Sequence, residues 1–464
     1  MRSMLFAAAL LSAAAAAAPP TPQDVKLRSI ASAVNVDRLR ADVSALVGFG
    51  TRHTLSSQTE PDHGIGAALT WAEAEFTLYS RECGKCLVIA RPSIMVQGER
   101  IPLPTKLTDI LAIQRGTERP NDVVIISGHI DSRVTDVMNA TDDAPGANDD
   151  GSGSAAVLEA ARVLSQHKFP GTIVYALLSG EEQGLYGGKL LADYARAQGW
   201  NVVANLNNDI IGNSCGSDGV CDAKSVRIFS EGPRWQGREA LAKAQRSLGG
   251  ENDSPSRNIS RFLESLAERH PEIGLDVMQV WRNDRFGRGG DHTELLNAGY
   301  PAVRFSVAVE NYNQQHQDVR VEKGVTYGDT VEVMDFDYLA KVTKLNIAAL
   351  AAIASAPPPP EPTVEGAVKT FTTVSWKDVF AHRYFVRWRR TDASNWQNMK
   401  SADDAPSTVT ADTPATFYMQ LDNIRVDDWV FGVSSVSKDG FESPVASAVP
   451  GGAFRPYVAP VEKK

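Results

Sequence analysis

Val123-Val124-Ile125-Ile126 is an unbroken β-branched run that leads through Ser127-Gly128 into His129-Ile130-Asp131. A run without polar alternation predicts a strand buried on both faces, as in a parallel sheet covered by helices. Downstream, residues 154–166 carry apolar positions at helical spacing after a Gly-Ser-Gly start, 172–178 read as a strand, 185–198 as a helix and 202–208 as a strand. Strands alternating with helices predict an α/β fold with a mostly parallel central sheet and helices on both faces. Upstream, Val36, Leu39, Val43 and Leu46 place a helix within 22–50, residues 51–63 are loop-like, and 64–80 return to helix. Strands at 276–280 and 303–307 extend the sheet, the polar stretch 251–275 is expected to be an insertion near the site, and 335–355 closes the fold with an amphipathic helix.

Five stretches carry metal-binding side chains. They are His129-Ile130-Asp131, Asn148-Asp149-Asp150-Gly151-Ser152-Gly153, Gly180-Glu181-Glu182, Asn208-Asp209-Ile210 and a lone His316 in a polar loop. His129, Glu181 and Asp209 each fall just past the carboxyl end of a predicted strand, where open α/β sheets form their ligand sites. Each piece has a plain structural alternative. Asp149-Asp150 suits a helix N-cap, Glu181-Glu182 a solvated turn, and His316 a solvated loop. Together, two histidines and three carboxylates can hold two zinc ions, and a spare carboxylate beside a ligand can act as a base. Adjacent acids at buried strand ends are costly unless cations or protons offset their repulsion.

The chain has 464 residues, with 43% hydrophobic, 22% charged and a net charge of -9. That length suggests more than one domain, and the acidity argues against nucleic acid and anionic membrane as partners. Residues 1–18 read as a signal peptide: Arg2 precedes an apolar run that ends in alanines and falls short of a membrane span. A secreted or periplasmic protein follows, and the four cysteines suit two local disulfides there, Cys83 with Cys86 and Cys215 with Cys221. A redox role for Cys83 and Cys86, or a four-cysteine zinc site, has less support from context and spacing. The prolines of 356–362 make a stiff linker after a domain spanning 22–355. Residues 363–450 change to short strands at β-sandwich rhythm.

In the order and context of these motifs, residues 30–350 resemble the secreted zinc-dependent aminopeptidase family, whose relatives include glutamate carboxypeptidase and the glutaminyl cyclases. The resemblance implies that one zinc takes His129 and Asp209, a second takes Glu182 and His316, and Asp149 bridges them. It implies Glu181 as general base and Asp131 as the residue that orients His129. In many relatives a tyrosine precedes the distal histidine and stabilises the oxyanion. Here Gln315 holds that place and Tyr312 is the substitute candidate. Asp291-His292 resembles a site-wall motif and makes His292 a rival last ligand. Arg282, Arg285 and Arg288 precede it, so a carboxypeptidase or dipeptidase reading stays open beside aminopeptidase, with glutaminyl cyclase a third. The expected mechanism is hydrolysis by a water held between zinc ions about 3.5–4 Å apart. A different reading, a non-catalytic binding protein, predicts a damaged ligand set, and none is evident.

The C-terminal segment resembles a fibronectin type III module through Val374-Ser375-Trp376, Phe385-Val386-Arg387-Trp388 and Gly440-Phe441-Glu442-Ser443-Pro444, although Trp429 stands where a tyrosine is usual. Trp388 and Trp396 are the candidates there for contact with carbohydrate or protein, with a packed core as the alternative.

Overall fold

Ten strands precede the site's last loop in the computed structural model: β1 (Leu87–Ala90), β2 (Ser93–Gly98), β3 (Ile101–Thr108), β4 (Ile110–Gln114), β5 (Arg119–His129), β6 (Gly171–Leu178), β7 (Asn201–Asn208), β8 (Ser225–Ser230), β9 (Asp276–Val280) and β10 (Ala302–Val307). The structure describes residues 20–233, 246–247, 249–403, 405–410, 413–449 and 452–453, so the expected signal at 1–18 lies outside the described residues. Eight of the strands form one sheet in the order β1-β4-β6-β5-β7-β10-β8-β9. The central run β6-β5-β7-β10 is parallel, as the apolar runs imply. Outside that run, β1 with β4, β4 with β6, and β10 with β8 pair antiparallel, while β8 with β9 is parallel.

The β-branched run shows why β5 lies at the centre. Val124 and Ile126 face one apolar cluster, with helices α2 (Val36–Val47), α3 (Gly64–Glu82) and α4 (Gly151–Leu164). Val123 and Ile125 face the opposite cluster, with α5 (Tyr186–Ala197) and the short α7 (His292–Asn297). Alternation of successive side chains across the strand makes both faces apolar and both covered. The expected N-terminal helix is two, α1 (Pro22–Ala31) and α2, each with a side-chain cap, from Thr21 and Asn35. The closing helix is α8 (Phe336–Ser355). The stretch expected to be an insertion near the site is instead α6 (Pro255–Arg269), with Ile259, Leu263 and Leu266 buried. Its polar face meets the C-terminal strands, where Asn258 Nδ2 donates to Ser447 Oγ at 2.8 Å. The polar composition of 251–275 therefore reflects a seam.

After a small hairpin, β11 (Arg320–Glu322) with β12 (Val325–Tyr327), the C-terminal strands form two antiparallel sheets. Val374 and Trp376 of one sheet share a core with Val386, Phe431 and Val433 of the other, which makes a sandwich. Trp388 packs against that core and Trp396 lies against Gly432, so both tryptophans face protein. The prolines are docked, since Ser435 Oγ donates to Pro357 O at 2.9 Å and Pro358 O at 2.8 Å. Both local disulfides form, Cys83–Cys86 and Cys215–Cys221. No helix among the described residues is long and apolar enough to cross a membrane.

The two parts are tied by a buried ion pair, Arg389 Nη2 to Asp253 Oδ1 at 2.6 Å, with side chains 1% and 2% exposed. Removing one partner strands the other charge. Asp253→Ala is expected to cost about 3–5 kcal/mol in urea unfolding. A loss below about 1 kcal/mol, typical of exposed pairs, would show that the seam does not depend on it.

Candidate metal centre

The carboxyl ends of the parallel strands bring four of the motifs together. His129 ends β5, Asp209 directly follows β7, and Gly180-Glu181-Glu182 turns back after β6. Asp150 caps α4 and ties these ends to one another. Its Oδ1 accepts from Gly153 N at 2.9 Å and Ile210 N at 3.3 Å, and its Oδ2 accepts from His129 N at 3.0 Å. A Cβ at Gly153 would lie 2.3 Å from Asn208 O, so glycine is what lets the helix start reach β7. Asp149 is held by its backbone, whose N–H donates to Asp329 Oδ2 at 2.7 Å, while Asn148 N donates to Asp329 Oδ1 at 2.9 Å. Beneath the loop, the buried Arg52 guanidinium donates to Ile130 O at 2.7 Å, Pro145 O at 2.6 Å and Gly146 O at 2.8 Å.

The site gathers around Asp149. Its Oδ1 stands 3.2 Å from His129 Nε2, and its Oδ2 stands 2.9 Å from His316 Nε2. Asp209 Oδ2 is 3.9 Å from His129 Nε2, and Glu182 Oε1 is 3.0 Å from His316 Nε2. Potential ligand atoms form two groups, each with atoms within 4.8 Å of one another: His129, Glu181 and Asp209, and Asp149, Glu182 and His316. His129 Nδ1 lies 3.0 Å from Asp131 O. A carbonyl only accepts, so Nδ1 carries the proton and the Nε2 lone pair faces two carboxylates. His129 Nε2 and Glu182 Oε1 are buried with no hydrogen-bond partner. The His129 lone pair and the buried carboxylates around it fit a divalent cation ligated by imidazole and carboxylate.

The half-buried Glu181 carries the electrostatic cost of this crowding. Burial pushes its carboxyl well above the usual range, Glu182, Asp209 and Asp291 push the same way, and His129 opposes them.

Asp131 meets the His129 ring through its backbone carbonyl. Its carboxylate does something else. Oδ1 accepts from Gly180 N at 3.0 Å and Glu181 N at 3.3 Å, and Oδ2 from Glu182 N at 3.2 Å. It thus pins the loop that presents both glutamates, a turn that Gly180 enters at φ 77°. Asp131→Ala is expected to lower kcat by roughly 10–100-fold, the usual cost of losing an outer partner of a metal site. Unchanged kcat would remove the loop-pinning role.

Three arginines at the site were not singled out in the sequence. Arg304, fully buried on β10, holds Asp209 Oδ1 at 2.7 Å and Asp284 Oδ2 at 3.0 Å. Arg133 Nε holds Glu182 Oε2 at 2.8 Å, and its Nη2 reaches His316 Nδ1 at 2.6 Å. An arginine inside the apolar strand Ala302–Val307 was a usable signal for the first. Arg133 had no signal beyond its closeness to His129. Asp329 and Arg52 were equally silent.

The remaining candidates separate. His292 belongs to neither group. Its Nε2 bonds Asn283 O at 2.9 Å, and its pKa is lowered to about 4 by burial, against the pull of Asp284. Tyr312 stands 61% exposed. Gln315 reaches Asp149 Oδ2 at 3.4 Å, and Arg288 Nη1 is engaged by Glu310 at 3.1 Å and Gln315 Oε1 at 3.1 Å.

Known proteins resemble this chain in sequence and in fold. A sequence model of peptidase family M28 matches residues 109–334. A probable zinc metalloprotease of Pyrenophora tritici-repentis is 40% identical over 441 residues, covering 93% of this chain and 88% of its own. One from Pyricularia oryzae is 41% identical over 442 residues, covering 92% and 85%. Among solved structures, LapB from Legionella pneumophila superposes with a TM-score of 0.51 at 18% identity, over 71% of this chain and 75% of its own. The LapA aminopeptidase of the same organism gives 0.50 at 18%, over 72% and 75%.

Proposed function

Since the chain belongs to peptidase family M28 and is a zinc metallopeptidase, we propose that it is a secreted aminopeptidase with two zinc ions, cleaving the N-terminal peptide bond of peptides. The observation that carries this reading is Asp149, which turns one oxygen to each of two histidines. In it, His129 and Asp209 would hold one ion and Glu182 and His316 the other, with Asp149 available to both. His316 is preferred over His292 as the last ligand because only His316 stands among the other candidates. Bound zinc supplies positive charge that polarises a carbonyl and eases the loss of a proton from water.

The protein's own groups do the rest. Glu181 takes a proton from the attacking water and returns it to the leaving amine nitrogen as the carbon–nitrogen bond breaks. Asp131 holds the Glu181-Glu182 backbone, so the base and its neighbouring ligand keep fixed places. Arg304 offsets one oxygen of Asp209, and Arg133 offsets one of Glu182. A free substrate amine suits the acidic surroundings of Glu181 and Asp209. Of the arginines behind the carboxypeptidase alternative, Arg285 is engaged by Asp284 and Glu310 and Arg288 by Glu310 and Gln315. Two disulfides are consistent with secretion.

We also infer that 22–355 is the peptidase domain, 356–362 the linker and 363–450 a fibronectin type III-like module, supported by two antiparallel sheets around one core. The test of the activity is a pair of assays on zinc-loaded protein with free-amine and N-acetylated peptides. Cleavage of the free-amine peptides alone is expected. Cleavage of the N-acetylated peptides alone overturns the aminopeptidase reading and leaves the metal centre standing.

A further inference from the structure

Asp209 and Glu182 each turn one oxygen toward a histidine of the centre and give the other to an arginine. Asp209 Oδ2 is 3.9 Å from His129 Nε2, while Arg304 Nη2 holds Oδ1 at 2.7 Å. Glu182 Oε1 is 3.0 Å from His316 Nε2, while Arg133 Nε holds Oε2 at 2.8 Å. A guanidinium only donates and stays charged, so the oxygen that faces it is kept there.

The surroundings fix both pairs. Arg304 is fully buried, and its Nη1 is bound by Asp284 Oδ2 at 3.0 Å and Gly289 O at 2.8 Å. Asp284 is itself held through Oδ1 by Arg285 Nε at 2.9 Å. A Cβ at Gly290 would lie 2.7 Å from Arg304 Nη1, so backbone closes over the guanidinium. Glu182 is pinned on both sides of its Cα. Its N–H donates to Asp131 Oδ2 at 3.2 Å, and its carbonyl accepts from Arg100 Nη1 at 3.1 Å.

In the two-zinc reading each ion takes one histidine, one oxygen of Asp149, and either Asp209 or Glu182. If that last carboxylate gives one oxygen, the protein supplies three donor atoms. Catalytic zinc sites keep three protein ligands and leave a fourth position open. A carboxylate that gave both oxygens would fill the fourth.

We propose that Arg304 and Arg133 are positioning residues that hold Asp209 and Glu182 to one ligand oxygen each, and so keep a position open at each ion. The inference rests on the two-zinc reading and goes beyond charge compensation to the number of ligand atoms.

Cobalt(II) tests it, because its visible absorption weakens as its coordination number rises. Chelator-treated wild-type and Arg304→Lys chains are loaded with cobalt, and absorption, cobalt per chain and kcat are measured on the same samples. Lysine keeps the charge but is a single point that cannot fork between Asp284 and Asp209. The variant is expected to bind two cobalt ions, to lose absorption per cobalt, and to turn over roughly 10–100-fold more slowly. Arg304→Lys carries the main test, since Arg133 also stands 2.6 Å from His316 Nδ1. Arg133→Lys, at a side chain 19% exposed, repeats it at Glu182 should the buried variant not fold. Unchanged absorption with two ions bound overturns the inference alone, as does loss of an ion from the variant. Fewer than two cobalt ions in the wild-type chain overturns the two-zinc reading itself.

Discussion

Glu181→Gln is expected to keep the wild-type zinc content and to lose turnover by about 10²–10⁴-fold, the range contributed by a positioned general base. Glutamine has nearly the same shape and can still accept a hydrogen bond, but it cannot take a proton from water. The test is sharp because Glu181 stands in the same group as His129 and Asp209 and so has two possible jobs. A ligand replaced by an amide weakens metal binding, whereas a base replaced by an amide leaves it. Zinc content and kcat measured on the same preparation separate the two. Loss of one zinc would make Glu181 a ligand, and full turnover would leave the base elsewhere.

Asp149→Ala is expected to have the larger effect on metal. Each oxygen of this carboxylate faces a different histidine, so one substitution removes a group that stands against both. Lewis-acid stabilisation is worth several kcal/mol, so losing about 4 kcal/mol lowers kcat/KM by roughly 10³-fold. Zinc content is expected to fall with it. By contrast, His292→Ala is expected to leave zinc content unchanged, since that imidazole bonds Asn283 O. Zinc lost in His292→Ala and kept in Asp149→Ala would reverse the ligand assignment.

The core of the fold was legible because burial on both faces leaves a plain trace. Val123-Val124-Ile125-Ile126 admits little but a central strand, and the turn of chemistry after it marks a carboxyl end. The β1 edge and the β2–β3 hairpin left no such trace. β1 and β2 carry exposed Val88, Ile94 and Met95, and half-covered strands read weakly in one sequence. Helix α6 was misplaced because a seam and a solvent face both select polar residues.

In the site, the acids next to glycines and at strand ends were readable from the cost of burying them. Their supports were not. Arg133 and Asp329 meet their partners across 183 and 180 positions of sequence, and no local spacing records such a contact. Asp131 shows a subtler limit. Its place two residues after His129 suggested a side chain bonded to the ring, yet the short distance lets the backbone carbonyl serve instead. The carboxylate is left free to collect three N–H groups about fifty residues away.

The central claim is a two-ion centre that shares Asp149. The most direct measurement is a zinc titration of chelator-treated protein, following turnover of a free-amine peptide and bound zinc together. The account predicts that activity rises to its full value only as two zinc ions bind per chain. Full activity at one zinc per chain would contradict it and would remove the shared role of Asp149.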